Sequence, residues 1–377
     1  MPENVEHSMN KETNQQLDKC TKPARNAEKP IQNYRLTIQL AFALLCIWIG
    51  VQFHFFVRFL DSGGTTAFVS RPPGVEGFLP ISSLMSFYYF FQTGDIHSAH
   101  PAGLFILAAI LIMSLVFGKV FCSWLCPIGF VSEVLGDLGD KIFKRRLRLP
   151  TVLDWSLRLV KYLLLGFFVY IIFFTMTEPA LQTFLDNPYN LTADIKMYYF
   201  FAEITPLALT VIVGLVLLSI PIRGFWCRYL CPYGALLGIL SLLSPQKIKR
   251  SPTTCIDCGK CAKVCPSSIK VDEINTVWSD ECTSCMACVD ACPVANTLEV
   301  ESLIARRRVA KRLVAVATVG IFLVITGAAM LTGHWQNSIT TQQYLEQQPY
   351  VRGYGHPISG SEMEKFGRPQ IDDQNQK

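Results

Sequence analysis

The sequence contains few charged residues for its length. Only 17% of its 377 residues are Asp, Glu, Lys or Arg, whereas 50% are hydrophobic. Soluble domains carry about 25% charged residues, so the composition argues against an ordinary soluble protein and predicts that lipid surrounds much of the chain. The first 34 residues also lack the basic start, apolar centre and small-residue cleavage site of a secretory signal. We therefore expect the N-terminus to be retained.

Patterns that support most enzyme mechanisms are also missing. We find no nucleophile paired with a base, no glycine-rich loop for phosphate and no dinucleotide-binding fingerprint. The net charge of +5 does not indicate nucleic acid binding, because the basic residues lie beside apolar segments, where membrane orientation explains them. These absences argue against an enzyme that transforms a substrate and favour an electron carrier or a redox subunit.

Five apolar segments approach the roughly 20 residues that a helix needs to cross a bilayer. They are residues 36–56, 101–118, 159–177, 204–222 and 313–332. The third is the weakest, because its uncharged run is 16 residues long and Lys161 must extend to the membrane surface. The pattern predicts a mainly α polytopic membrane protein with five transmembrane helices.

Lys and Arg are distributed unequally between the segments that connect these helices. The N-terminal segment and the second and fourth loops contain 27 of them, and the other loops and the tail contain 7. Because cytoplasmic loops are enriched in Lys and Arg, we expect the N-terminus and both basic loops to be cytoplasmic and the C-terminal tail to lie outside. All the cysteine motifs are then cytoplasmic, where thiols stay reduced.

Twelve of the 14 cysteines lie in four short motifs, and eight of these form two Cys-x2-Cys-x2-Cys-x3-Cys-Pro runs. A cubane cluster needs four thiolates, and in this duplicated spacing the fourth cysteine of each run ligates the other cluster. Zinc also accepts four thiolates, but the duplicated spacing followed by Pro favours two 4Fe-4S clusters. One cluster is assigned to Cys255, Cys258, Cys261 and Cys292, and the second to Cys282, Cys285, Cys288 and Cys265.

The other four cysteines form two Cys-x3-Cys-Pro pairs, Cys122 with Cys126 and Cys227 with Cys231. The pairs lie 105 residues apart within an internal repeat, which predicts two parallel helical hairpins. If the halves face one another, four thiolates could form a third metal site for an iron-sulfur cluster or copper. Redox-active or metal-delivering thiols and small packing residues remain alternatives.

Several aromatic and histidine residues lie near the predicted membrane surfaces. We interpret Trp124, Trp226 and Tyr229 as interfacial anchors. We interpret residues 78–91 as an interfacial helix rather than a re-entrant element. His54 and His100 could together bind haem or copper at the outer face. Contact of each ring with interfacial water is the simpler interpretation.

Taken together, the paired Cys-x3-Cys-Pro motifs, the two ferredoxin motifs and a last helix resemble the membrane polyferredoxins of the NapH, NosR and CcoG type. The likeness extends over nearly the whole chain, including the outer run at 71–81. The resemblance implies a bacterial inner-membrane protein with cytoplasmic clusters, and it carries the eight ferredoxin cysteines over as ligands. The sequence departs from some members in one respect, because we expect neither a flavin-bearing outer domain of the NosR kind nor an outer immunoglobulin-like domain of the CcoG kind.

The predicted organisation is a duplicated helical hairpin and one further helix, with an inserted α+β two-cluster ferredoxin-like domain. Its segments are a cytoplasmic tail at 1–34, membrane hairpins at 35–140 and 141–246, the ferredoxin domain at 247–303, a fifth helix at 304–333 and a periplasmic tail at 334–377. The predicted function is relay of single electrons between the two clusters and a quinone pool or redox partner. The alternatives are copper reduction or delivery for assembly of a respiratory enzyme, and redox sensing.

Overall fold

The computed structural model describes residues 24–355 apart from 145 and 148. The predicted tails at 1–34 and 334–377 therefore lie partly outside the described residues. The described chain is mainly helical, with one small sheet late in the sequence.

The α-helices are Gln32–Asp61, Pro80–Thr93, Pro101–Phe117, Val120–Trp124, Pro127–Phe143, Thr151–Val169, Glu178–Leu185, Pro188–Leu191, Ala193–Ala202, Pro206–Ser219, Pro232–Leu243, Lys260–Val264, Ala287–Ala291, Lys311–Leu331 and Thr341–Gln347. Two 3-10 helices cover Pro73–Phe78 and Gln348–Gly353, and two π-helical segments cover Tyr170–Thr175 and Trp226–Leu230. The strands are β1 (Gln246–Arg250), β2 (Leu298–Ser302) and β3 (Arg307–Arg308).

Three helical segments in the described part of the chain are long and apolar enough to cross a membrane. They are Gln32–Asp61, Thr151–Thr175 and Lys311–Leu331. A fourth span is possible if Ala193–Ala202 and Pro206–Ser219, which are bent by 80° at their junction, count as one. The prediction of a membrane protein is confirmed, whereas the number of five spans is not.

The helix predicted as the second span, Pro101–Phe117, has 17 residues and lies in the centre of the helical assembly. It packs against Lys311–Leu331, Pro80–Thr93 and Pro232–Leu243. Ten of its residues are buried, so neighbouring helices cover much of a surface that its hydropathy alone would assign to lipid. The segment predicted at 78–91 is one of these covering helices.

One hydrophobic core joins the membrane helices to the cysteine-rich unit. Met113 and Trp124 on the membrane side belong to the same buried cluster as Ile248, Met286 and Val300. Because burial of apolar surface holds such packed units together, the cysteine-rich unit is fixed against the helices rather than tethered by a linker.

The three-stranded sheet closes the cysteine-rich unit. Strand β1 pairs antiparallel with β2, with Ile248 opposite Val300, and β2 pairs with β3. Residues along β2 are alternately more and less buried, as expected for a strand with one face in a core. All eight ferredoxin-motif cysteines lie between β1 and β2 in sequence, so this pairing brings the two ends of the unit together.

Candidate metal centres

The first set of ferredoxin cysteines surrounds a cavity near the surface of the unit. Its lining includes Cys255, Cys258 and Cys261 from the first run and Cys292 from the second. Cys258 is exposed and the other three are partly buried. The fourth cysteine thus comes from the other run, as the assignment from spacing requires.

The second set lies deeper in the same unit. Cys282, Cys285 and Cys288 line a second cavity together with Cys265 of the first run. Cys265 and Cys288 are buried, and the remaining wall is largely apolar. Each cavity therefore offers four thiols without a competing nitrogen ligand, a donor set that suits an iron-sulfur cubane.

The backbone has the same unusual turns in both ferredoxin loops. Asp257 and Gly259 have positive φ angles of 49° and 66°, and Ser284 and Met286, at equivalent positions, have 51° and 59°. A non-glycine residue in this conformation costs about 1–2 kcal/mol. These strained residues lie in the loops that place three cysteines around each cavity. Backbone outliers of this kind are concentrated at functional sites.

Backbone N–H groups point at the sulfur atoms of the deeper set. The N–H of Ser284 donates to Cys282, and that of Ala287 donates to Cys285. Burial raises the pKa of the Cys282 thiol to about 12, and the Ser284 N–H opposes this only in part. The Cys282 thiol is therefore neutral before a metal binds, so its ligation must release a proton.

Three polar side chains from distant parts of the sequence hydrogen-bond the carbonyl groups of predicted ligands. Asn26 Nδ2 donates to Cys292 O at 3.0 Å, Gln32 Nε2 to Cys285 O at 3.1 Å and Arg146 Nη1 to Cys265 O at 3.0 Å. The sequence analysis missed all three. Each is more than 100 residues from its partner, so no local pattern could have identified them.

A buried ion pair joins the helix Thr151–Val169 to the loop of the deeper set. The Lys161 side chain is fully buried and contacts the Glu281 carboxylate, with Asp280 Oδ2 3.6 Å from its ammonium group. Tyr162 donates to the same aspartate. The prediction that Lys161 extends to the membrane surface is therefore wrong, because two carboxylates of the cysteine-rich unit reach it instead.

Two of the three residues predicted to be interfacial anchors, Trp124 and Tyr229, contact other parts of the protein instead. Trp124 is buried, and its Nε1 donates to Ser284 O at 3.3 Å. Tyr229 is buried as well, and its hydroxyl donates to Asp154 at 2.5 Å. Both side chains have protein partners where the prediction expected headgroups, so the anchor interpretation is wrong for them.

The two Cys-x3-Cys-Pro pairs face a common cavity of about 330 Å³. Cys122, Cys126, Cys227 and Cys231 line it, and so does Cys285 of the deeper ferredoxin set. Burial, together with the neighbouring thiols, raises the pKa of Cys122, Cys126 and Cys227 to about 12, although Lys119 opposes this at Cys122 and Cys227. The repeat halves therefore do face one another.

His54 and His100 are held by different partners. Nδ1 of His54 lies 2.7 Å from the Tyr198 hydroxyl, and Nε2 of His100 donates to Asn190 O at 2.7 Å. His100 is fully buried, so the prediction that it contacts interfacial water is wrong. A buried ionic group formed by Arg71, Glu76 and Asp194 adjoins it.

Comparison with known families connects these sites to a cofactor. A protein-family model described as a 4Fe-4S binding domain matches residues 99–150 and 204–251, and a model described as a 4Fe-4S dicluster domain matches residues 247–293. The first two segments contain the Cys-x3-Cys-Pro pairs, and the third contains all eight ferredoxin-motif cysteines. No solved structure gives a significant match.

Several known proteins are similar in sequence. The Escherichia coli K12 protein named "Putative electron transport protein YccM" is 44% identical over 86% of this chain and 92% of its own length. The ferredoxin-type protein NapH of Haemophilus influenzae is 29% identical over 49% of this chain and 64% of its own. The methylamine utilization ferredoxin-type protein MauN of Methylorubrum extorquens is 29% identical over 60% and 76%.

The similarity to YccM covers most of both chains, and the described residues contain helices that can span a membrane. The 4Fe-4S domains fit the cysteine-lined cavities. The chain therefore belongs to the membrane polyferredoxin family and is an iron-sulfur protein of membrane electron transfer.

Proposed function

We propose that the protein relays single electrons through two 4Fe-4S clusters, between a partner at the cytoplasmic surface and a quinone or another redox partner in the membrane. The observation that carries this proposal is the presence of three cysteine-lined cavities. The first lies beside the exposed Cys258, the second lies deeper, and the third shares Cys285 with the second. Clusters supply one-electron oxidation and reduction, so the protein needs only to hold and orient them.

The proposed ligands are those assigned from spacing. Cys255, Cys258, Cys261 and Cys292 hold the outer cluster, and Cys282, Cys285, Cys288 and Cys265 hold the inner one. Their grouping around two cavities supports this assignment. Cys288 of the inner set is also close enough to Cys261 of the outer set for their charges to interact, so the two clusters would be neighbours.

The proposed location is the bacterial inner membrane. The N-terminus and the ferredoxin domain face the cytoplasm, and the C-terminus faces the periplasm. The supporting argument is the excess of 27 Lys and Arg residues on one side over 7 on the other. The six segments predicted from the sequence, with the ferredoxin domain at 247–303, are retained as the proposed domain organisation.

The third cavity supports a lipid-soluble partner. It extends from the four cysteines to Phe78 and Pro80, past Ile110 of the central helix. A concave, largely apolar site with a few polar groups is the usual form of a small-molecule site. A quinone fits this description because it has an apolar tail and a polar headgroup.

The test uses protein purified without oxygen, reduced chemically and then mixed with a short-tailed quinone. Electron paramagnetic resonance follows reoxidation of each cluster. The Cys285→Ser variant should keep the outer cluster but slow its reoxidation by quinone at least tenfold, because the path through the inner cluster is cut. Ferricyanide, which reaches the exposed edge beside Cys258, should reoxidise variant and wild type at the same rate.

A Cys46→Ser variant is the matched control, since this cysteine lies within the helix Gln32–Asp61 and lines none of the three cavities. It should behave as wild type with both oxidants. Equal quinone rates in wild type and Cys285→Ser would contradict the relay, and so would a wild type that quinone does not oxidise.

A further inference from the structure

An apolar groove lies along the membrane-spanning segment Thr151–Thr175, outside the three cysteine-lined cavities. We propose that this groove binds the isoprenoid tail of a quinone whose headgroup occupies the third cavity. The inference rests on the proposed function, because it names the class of the lipid-soluble partner and the route by which that partner enters. The composition of the groove, its continuity with the third cavity and its opening to lipid support it.

The groove has a volume of about 300 Å³, and every side chain that lines it is apolar. The lining residues are Leu84, Leu165, Val169, Phe173, Phe174 and Leu236. Leu165, Val169 and Phe173 are spaced four residues apart, so they share one face of the spanning segment. At about 1.5 Å per residue this face is roughly 12 Å long. A long apolar groove suits a hydrocarbon chain and offers nothing to a polar headgroup.

The groove continues the third cavity along two helices. Pro80 and Tyr233 line the third cavity, whereas Leu84 and Leu236 line the groove. Leu84 follows Pro80 by four residues in one helix, and Leu236 follows Tyr233 by three residues in another. Residues three or four apart lie on the same helix face, so both helices present one face that passes from the cavity to the groove. A ligand with its headgroup in the cavity can therefore place its tail in the groove.

One side of the groove is open to the bilayer. Its longest wall belongs to Thr151–Thr175, one of the segments long and apolar enough to cross a membrane. On this wall Leu165 is 8% exposed, whereas Phe174 is 77% exposed. Because the outer surface of such a segment faces hydrocarbon, a ligand reaches the groove from lipid and not from water. The opening therefore favours a lipid-soluble occupant.

An aromatic contact closes one end of the groove. Tyr88, four residues after Leu84, packs against Phe173 with their ring centroids 4.5 Å apart, and its hydroxyl donates to Phe173 O at 3.3 Å. Phe173 lies in the π-helical part of the spanning segment, a distortion that is frequent at functional sites. The contact holds the helix of Leu84 against the spanning segment. A bound chain therefore extends toward the third cavity or sideways into lipid.

An acyl chain of a membrane phospholipid has the same apolar chemistry as an isoprenoid tail. Continuity with the third cavity favours the quinone, because a phospholipid headgroup stays at the membrane surface, whereas a quinone headgroup can enter the protein. The third cavity also offers a hydrogen-bond donor. Arg223 lines it, and Nε of this side chain is buried without a hydrogen-bond partner among the described residues. A quinone carbonyl oxygen would accept from such a group.

The first experiment is photolabelling of the wild-type protein in phosphatidylcholine vesicles. The probe is a quinone with a diazirine on its isoprenoid tail, and mass spectrometry locates the label. We expect label within residues 165–174 and at Leu236, and its loss when unlabelled long-tailed quinone is added in excess. Label that persists under that excess, or that falls elsewhere, would overturn the inference. Since the vesicles supply acyl chains throughout, persistent label would mean that the groove takes any lipid chain.

The second experiment fills the groove. Val169→Trp should raise the KM for a long-tailed quinone, relative to that for a short-tailed quinone, by about tenfold, a factor within the range that overpacking by a bulky side chain produces. Reoxidation of the reduced clusters measures both constants. Leu163→Trp is the matched control, because Leu163 lies on the same helix but is 62% exposed and does not line the groove. This variant should keep the wild-type ratio.

An unchanged ratio in Val169→Trp would contradict the tail site and leave the relay intact. If that variant does not fold, photolabelling of the wild type still decides. The proposed function fails separately, if quinones of either tail length leave the reduced wild-type clusters unoxidised. Photolabelling then still shows whether the groove holds a quinone tail.

Discussion

Lys161 provides the sharpest test of how the cluster-bearing unit is held at the membrane. Its ammonium group is fully buried against Glu281, the residue before Cys282, and lies 3.6 Å from Asp280. Replacing it with Met would remove the cation and leave buried carboxylate charge beside the inner cluster. Breaking a buried pair in this way costs about 3–5 kcal/mol.

That cost predicts the size of a measurable effect. Since 1.4 kcal/mol corresponds to a factor of ten, local opening around residues 279–288 should become at least about 100-fold more frequent in Lys161→Met. Hydrogen exchange of this segment, followed by mass spectrometry in detergent, measures the change. The Lys161→Met/Glu281→Gln variant should recover much of the protection, because the uncompensated charge is then gone.

The matched control is Lys249→Met. Lys249 pairs with Glu301 at 2.8 Å, but its side chain is 46% exposed. Exposed pairs contribute about 0–1 kcal/mol, so exchange at 279–288 should be unchanged. Equal effects of the two substitutions, or no recovery in the double variant, would refute the view that this ion pair fixes the unit to the membrane helices.

A further prediction concerns the repeat cysteines. Gly129→Ala should destabilise the protein by about 1–3 kcal/mol or more, because its Cβ would lie 2.1 Å from Cys122 O. Gly166→Ala, with no atom within 4 Å of the new Cβ, should instead stabilise the protein by about 0.5–1 kcal/mol. Denaturant titration in detergent measures both, and equal effects would contradict the close approach of Gly129 to Cys122.

The ferredoxin loops could be predicted from the sequence because their chemistry is local. Three of the four cysteines around each cavity lie within seven residues of one another, and the spacing itself encodes the loop. The repeat cysteines were harder. Their i, i+4 spacing predicted half a site in each hairpin, but nothing in the sequence could decide whether the halves meet. The structure brings them to one cavity.

Hydropathy was less reliable for the helices. It records the composition of a segment but not its neighbours. Pro101–Phe117 is as apolar as a membrane span, yet protein covers much of it. At 204–222 hydropathy predicted one span, whereas the helix there, Pro206–Ser219, has only 14 residues and is long enough to cross a membrane only together with Ala193–Ala202, from which it is bent by 80°.

The polar contacts that hold the cluster-bearing unit were not predictable. Lys161 and Glu281 are 120 residues apart, and Asn26 and Cys292 are 266 apart. The sequence analysis attributed the basic residues to membrane orientation. That explanation accounts for their distribution between loops but does not identify which of them meets a carboxylate.

The central claim is that two neighbouring 4Fe-4S clusters form the relay, and stepwise reduction followed by electron paramagnetic resonance tests it most directly. Reduced wild-type protein should give two cluster signals broadened by magnetic interaction, since Cys288 and Cys261 bring the two sets together. The Cys258→Ser variant should lose that broadening and give the sharp signal of the inner cluster alone. Isolated, non-interacting signals in the wild type, or zinc in place of iron at these cysteines, would contradict the account.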